Sequence, residues 1–286
     1  MNFPYLTQAK APLTCVVSAV NEFGEHISVS IPAERALTVY VDKRELVTLM
    51  TLGAHPELLV LGYLRNQRLV KSIEDIESVT VDWDVGAAAV KTRHGIADIE
   101  EKTSRRVVTT GCGQGSVFGG LMDEVDQIKL PPDASITQSQ LYALVNTIRL
   151  KETTYKSSGS VHACALFDSK GCEPEMLIFI EDVGRHNAID TIAGWMFMQA
   201  EPRNAANRIF YTTGRLTSEM VIKSAQMGVP IVVSRSGITQ MGHQVAEVVG
   251  LCAIGRATNK RFVCYTSAQR LTFQPGLATQ PQASQG

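Results

Sequence analysis

The chain has 286 residues, enough for one large domain or two modest ones with a hydrophobic core of their own. At 44% apolar and 19% charged residues it reads as a globular protein, and no apolar run approaches the roughly 18 residues of a bilayer span, which excludes a membrane helix. Its 27 basic and 28 acidic residues leave a net charge of −1, so no global field draws it to nucleic acid or to an anionic membrane, and any anion site is local. The first residues, MNFPYLTQAKAPLT, lack the basic patch and apolar block of a secretory signal, so a cytoplasmic location is expected. Thr38–Val41, the polar turn Asp42-Lys43-Arg44 and Leu46–Leu49 read as a hairpin. His55–Leu69 places Leu58, Leu61, Tyr63 and Leu64 near one helical face, and Ile76–Trp83 alternates as a strand. These pieces predict a smaller mixed α/β domain over residues 1–130, ending in a loop built around Cys112.

Met122–Ser135 is acidic and then proline-rich, which suits a connection. Thr137 and Gln140 form a T-x-x-Q capping pattern ahead of Leu141, Leu144, Val145 and Ile148, the i, i+3, i+4, i+7 spacing of a helix. Beyond it strands and helices alternate. Strands are expected at Val161–Phe167, Met176–Ile180, Arg208–Thr212, Ile231–Val233 and Phe262–Tyr265. Helices are expected at about Asn187–Met198, Thr217–Met227 and His243–Val249, with Gly228 and Pro230 as a helix stop. Alternation of this kind predicts an α/β layer domain over residues 131–272. The tail, residues 273–286, is polar and rich in Gln, Pro and Gly near its end and is expected to be disordered; no internal repeat is evident.

Four stretches carry chemistry. Cys112 sits in TTGCGQGS after the strand-like run Arg105–Thr110, and its flanking glycines admit a tight turn and the close approach of a partner's sulfur. If Ser116 opens a helix, backbone N–H groups favour the thiolate at Cys112; the alternative is a small buried thiol. Arg256, Ala257, Thr258, Asn259, Lys260 and Arg261 bring three cations, a hydroxyl and an amide beside Gly255, donors suited to a phosphate, or else a solvated basic turn. Glu181–Asn187 gathers Asp182, Arg185 and His186 where a strand ends and a helix starts, either as pocket residues or as a helix cap with a surface ion pair. Thr213–Glu219 either binds an anion at a helix N-terminus or caps that helix, and His162 reads as a core histidine. The six cysteines form no CxxC pair, and neither half of a zinc deaminase signature is present, so neither a disulfide framework nor zinc is expected.

Taken in order, TVYVDKRELVTLM, HPELLVLGYL, TGCG, SGSVHACA, EDVGRHNAID, TGRLTSEMVIKSAQMGVPIVVSRSG and RATNKRFVCYTSAQRL, spread from Leu37 to Leu271, resemble the formate dehydrogenase accessory sulfurtransferases of the FdhD/NarQ family. The resemblance implies a larger domain that is cytidine-deaminase-like, three-layered and zinc-less. It implies a sulfur carrier that receives sulfur from a cysteine desulfurase as a persulfide on Cys112. The persulfide then sulfurates the molybdenum bis-guanine-dinucleotide cofactor of formate dehydrogenase or a related molybdoenzyme. The same resemblance assigns cofactor binding to Arg256, Ala257, Thr258, Asn259, Lys260 and Arg261, with a guanine nucleotide such as GDP as a mimic, and implies a homodimer. This chain departs from the family's G-C-G-x-C-G pattern, with Gly115 at the second cysteine position. A relay between two loop thiols is thereby excluded, while transfer by one thiolate stays chemically sound. Two alternatives stand beside the carrier: a non-catalytic cofactor chaperone with a structural Cys112, and a redox-sensing thiol protein.

Overall fold

The computed structural model describes residues 2–96, 125–151, 153–199 and 205–277. The chain divides into two compact units, one of Met1–Glu124, Glu152–Cys164 and Phe179–Arg203, the other of Val125–Lys151, Ala165–Ile178 and Asn204–Gly286. The first break lies near the boundary expected at 130, but the first unit also recruits two later stretches.

Five strands form the sheet of the first unit, β1 (Tyr5–Leu6), β4 (Arg35–Val41), β5 (Arg44–Thr51), β6 (Ile76–Asp82) and β7 (Ala87–Thr92), in the order β1-β6-β7-β4-β5. On β4 every second residue, Leu37, Val39 and Val41, points into the core, as period-two patterning demands. On β5 the inward residues are Leu46, Leu49 and Thr51, because the pairing slips by one residue between Val39 and Tyr40. The connecting turn places Asp42 and Lys43 at φ 47° and 73° without a glycine. The Asp42 carboxylate offsets that strain by accepting from the Thr92 N–H at 2.9 Å and its hydroxyl at 2.6 Å. Two strands the sequence patterning does not reveal, β2 (Thr14–Val20) and β3 (His26–Pro32), pair with each other as an antiparallel ribbon.

Two helices explain the later stretches. α1 (Pro56–Asn66) starts with proline at its first turn, where no N–H is missed, and packs against α4 (Arg185–Phe197). Gly62 and Gly194 let the two backbones touch: a Cβ on Gly62 would lie 1.6 Å from the Asp190 carbonyl oxygen, and one on Gly194 1.9 Å from that of Leu58. Asn66 donates to Asp190 at 2.7 Å in the buried contact, and Arg65 donates to the Ala193 carbonyl at 3.3 Å while covering the Phe197 ring. Leu59, Leu64, Ile189 and Ile192 are buried to within 1% on these helices, each contributing about 2 kcal/mol of apolar burial.

A six-stranded sheet has the order β10-β9-β11-β12-β13-β14, with β9 (His162–Asp168), β10 (Glu175–Asp182), β11 (Arg208–Thr212), β12 (Ile231–Ser234), β13 (Cys252–Thr258) and β14 (Arg261–Cys264). The chain passes between the units within β9 and β10. β11, β12 and β13 are parallel, and β11 and β12 are buried along their whole length, the continuous burial expected of strands covered on both faces. α5 (Ser218–Gln226) joins β11 to β12, and α6 (Gln240–Val249) joins β12 to β13. α6 begins three residues before the expected start, since the Thr239 hydroxyl caps it by accepting from the Gly242 N–H at 3.2 Å. β13, missed in the patterning, continues the apolar run that follows this helix.

The capping pattern at Thr137 is realised ahead of α2 (Gln138–Lys151): the Gln140 N–H donates to the Thr137 hydroxyl at 3.2 Å, and the Thr137 N–H to the Gln140 side chain at 2.9 Å. Leu141, Leu144, Val145 and Ile148 form its buried face. Arg270 anchors the proline-rich connection, donating to the carbonyls of Pro131 at 2.7 Å, Pro132 at 3.2 Å and Gly250 at 3.2 Å. Residues 273–277 correct the expectation of disorder from 273: Phe273 stacks on Phe262 and the Gln274 side chain accepts from the Ser139 N–H at 2.8 Å. Among the described residues no helix is long and apolar enough to cross a membrane.

Candidate functional site

Arg256–Arg261 forms the end of the β13–β14 hairpin in the second unit. Gly255 enters it where a side chain has no space, since a Cβ there would stand 2.7 Å from the Tyr265 ring and 3.0 Å from the Ser236 carbonyl oxygen. Arg256 then turns left-handed at φ 51°, its N–H donating to that same Ser236 carbonyl at 2.6 Å, and the pairing register breaks between Gly255 and Thr258. Thr258 pairs with Arg261 across Asn259, which is also left-handed at φ 50°. Of the six residues only Ala257 is buried; Arg256, Thr258, Asn259, Lys260 and Arg261 are exposed. The Tyr142 hydroxyl holds the turn from behind by donating to the Lys260 carbonyl at 3.0 Å, and Phe262 packs on the Tyr142 ring. Three cations, a hydroxyl and an amide thus face solvent on a braced backbone, an arrangement that can bind a phosphate-bearing group bidentately through either arginine.

The loops beside this hairpin are built on one pattern that the sequence reading missed. Thr212-Thr213-Gly214-Arg215-Leu216-Thr217 and Ser234-Arg235-Ser236-Gly237-Ile238-Thr239 each run from a strand end to the residue before a helix. In both, the first hydroxyl accepts from the N–H two residues on, at 3.1 Å in Thr212 and 3.0 Å in Ser234. The loops are tied by the Ser234 hydroxyl to the Gly214 carbonyl at 2.7 Å, the Leu216 N–H to the Gly237 carbonyl at 2.9 Å and the Thr239 N–H to the Leu216 carbonyl at 3.0 Å. Gly242 permits the last contact, for its Cβ would lie 2.4 Å from the Leu216 carbonyl oxygen. Through the Arg256 N–H, the chain of bonds runs from Gly214 to the hairpin along the C-terminal ends of three parallel strands, the edge where ligands of open α/β sheets gather. The signal available in sequence was the shared hydroxyl, small residue, Leu or Ile, and Thr. Thr217 occupies the position before α5, but its side chain makes no capping bond.

Within Glu181–Asn187 both carboxylates are committed to hydrogen bonds inside the first unit. Glu181 caps α3 (Thr154–Ser158), accepting from the Thr153 hydroxyl at 3.0 Å and the N–H groups of Thr154 at 2.8 Å and Tyr155 at 3.0 Å. Asp182, 3% exposed, accepts four hydrogen bonds: from the Thr51 hydroxyl at 2.5 Å, the Leu52 N–H at 3.2 Å, the Gly184 N–H at 3.0 Å and the Asn187 amide at 2.9 Å. Burial pushes its carboxyl above the ordinary range, against the pull of these four donors. Asp182 therefore fastens the end of β5 to the start of α4 inside the first unit. His186 is buried, while His162 is half-buried at the start of β9.

Cys112 and Gly115, with the strand expected at Arg105–Thr110 and the helix expected from Ser116, lie outside the described residues. Among the described residues no group of three or more His, Cys, Asp or Glu side chains could hold a metal ion.

Comparison with known proteins bears on the whole chain. The FdhD/NarQ family pattern matches residues 32–272. A protein of Bacillus subtilis (strain 168), named sulfur carrier protein FdhD, is 31% identical over 244 residues, covering 83% of this chain and 88% of that one. Its namesake in Bacillus pumilus (strain SAFR-032) is 29% identical over 245 residues, covering 84% and 89%. A crystal structure from Desulfotalea psychrophila, described as that of a formate dehydrogenase accessory protein, superimposes with a TM-score of 0.71 at 21% identity, covering 91% of this chain and all of that one. That likeness establishes a shared mixed α/β fold.

Proposed function

The chain belongs to the FdhD/NarQ family, and from that premise we propose that it is a sulfur carrier serving formate dehydrogenase or a related molybdoenzyme. In this reading a cysteine desulfurase is the donor. The Cys112 thiolate attacks the outer sulfur of the donor's persulfide, the donor's inner sulfur leaves as a thiolate, and Cys112 carries the persulfide onward. The acceptor is the molybdenum bis-guanine-dinucleotide cofactor, bound as cargo through its phosphates along Arg256–Arg261. In this reading the glycines at 111, 113 and 115, having no side chains, suit a thiol that must meet donor and cargo in turn.

The observation that carries the reading is the hairpin: every cation of the segment is exposed, and its backbone is braced by Ser236, Tyr265 and Tyr142 rather than by those side chains. Charges that do no structural work are free for a ligand. Within the same reading, the larger domain is cytidine-deaminase-like without zinc, the protein works in the cytoplasm, and it acts as a homodimer.

Two measurements test the proposal. After incubation with a desulfurase and cysteine, mass spectrometry is expected to find an added sulfur on wild type and none on Cys112→Ala; equal loading of both would overturn the carrier role. Calorimetry with GDP is expected to show binding that falls at least about tenfold when Arg256, Lys260 and Arg261 become alanine, a loss of ~1.4 kcal/mol. The chaperone alternative, favoured by Gly115 at the second cysteine position, is the outcome in which the nucleotide binds but no sulfur is loaded.

A further inference from the structure

Cys252 and Cys264 take no part in the transfer proposed above. Cys252 opens β13 and is fully buried; Cys264 ends β14 and is half-buried. Because Ile254 pairs with Cys264, residues 252 and 264 share one face of the hairpin on adjacent strands, and their sulfurs stand 3.9 Å apart. A disulfide requires about 2.05 Å, so the sulfurs must approach by about 2 Å more, with the diagonal pairing of the two residues requiring the strands to shift as the bond closes.

The surroundings give the two thiols unequal roles. The hydrogen bond between the sulfurs, together with burial and the nearness of Cys264, pushes the Cys252 thiol far up, with Arg270 pulling weakly the other way. The same bond holds the Cys264 thiol below its ordinary range, against its partial burial and with help from the Thr266 backbone. The more exposed sulfur is therefore also the readier nucleophile, and a second thiol waits behind it.

We propose that Cys252 and Cys264 form a redox-active dithiol that closes to an internal disulfide by exchange with low-molecular-weight disulfides of the glutathione type. The Cys264 thiolate attacks one sulfur of the small disulfide, the other leaves as a thiolate, and a mixed disulfide forms on Cys264. Cys252 gives its proton to that released thiolate and attacks the Cys264 sulfur, expelling the second small thiol. Two protein thiols are oxidised and one small disulfide is reduced to two thiols. The bond staples the base of the hairpin whose turn holds Arg256–Arg261, so reduction and oxidation set how freely that turn can open. This inference does not rest on the sulfur-carrier reading.

The test uses the full chain, native, in wild-type and Cys112→Ser forms, so that failure of the loop thiol cannot be mistaken for failure of this pair. Each is equilibrated with mixtures of reduced and oxidised glutathione, quenched in acid, alkylated and mapped by mass spectrometry. Expected are a cross-link between the peptides of Cys252 and Cys264 in both forms, and glutathione without cross-link on the exposed Cys15 and Cys172. In Cys252→Ala the glutathione is expected to stay on Cys264; in Cys264→Ala, Cys252 is expected to stay reduced. Cys264 should also be alkylated faster than the buried Cys252. The proposal is overturned if Cys252 and Cys264 remain unlinked where Cys15 and Cys172 are fully glutathionylated, or if Cys252 reacts equally well without Cys264. Should either alanine variant fail to fold, the wild-type cross-link alone decides.

Discussion

Glu181–Asn187 and Arg256–Arg261 look alike in composition, each a short run of ionisable and amide side chains at the end of a strand. The structure treats them oppositely. In the first, Glu181 and Asp182 are spent on named N–H and hydroxyl donors of the first unit. In the second, five of six side chains face solvent while carbonyls and rings elsewhere hold the backbone. Charge density in a sequence does not separate a fastener from a run of side chains left facing solvent. What separates them is where the backbone hydrogen bonds go.

The sharpest way to break the comparison is to attack the contact that the first stretch serves. Gly194→Ala drives a methyl group into the Leu58 carbonyl, where a Cβ has 1.9 Å, so the α1–α4 pair must separate. A loss of about 3 kcal/mol or more is expected by denaturant titration, at the upper end for overpacked cores. Next is Asp182→Ala, which leaves four donors without their acceptor and is expected to cost about 2–3 kcal/mol. The carboxyl also has a pH signature. Its folded-state pKa lies above the unfolded value, so its favourable contribution is complete below the ordinary carboxylate range and is lost as pH rises through the raised value. Melting temperatures across that window should fall with rising pH in wild type and lose that decline in Asp182→Asn. At the small end, replacing Arg256, Lys260 and Arg261 together should change stability by less than about 0.5 kcal/mol, since these side chains are exposed. A large loss of stability there would make the hairpin cations structural and erase the contrast. Tyr142→Phe sits between, losing the bond to the Lys260 carbonyl and the one accepted from the Gln138 amide, about 1–2 kcal/mol.

Period and capping made much of the fold legible. The strand runs around the turn at Asp42-Lys43-Arg44, the apolar face of α1 and the capping pattern of Thr137 and Gln140 are local devices, and local devices can be read from a string. The β2–β3 ribbon was not read, because mixed exposure along both strands blurs the alternation that would mark it. The phosphate-suited run 256–261 stood out by its donors, whereas Ser234 and Ser236, which tie its supporting loops, carry no charge to draw attention. Asp182 stood out as a pocket or cap residue, but its partners Thr51 and Leu52 lie some 130 positions away, and no pattern of neighbours could reveal them.

The contact between Gly62 and Gly194 has a consequence for how the protein is made. α1 is finished at Asn66 and its partner begins only at Arg185, so the ribosome must deliver all the intervening chain before the two helices can meet. At elongation rates of about 5–20 residues per second that interval is roughly ten seconds. Throughout it Gly62 presents bare backbone to the cell. A chain stopped anywhere in that window has a first unit without one of its two packed helices.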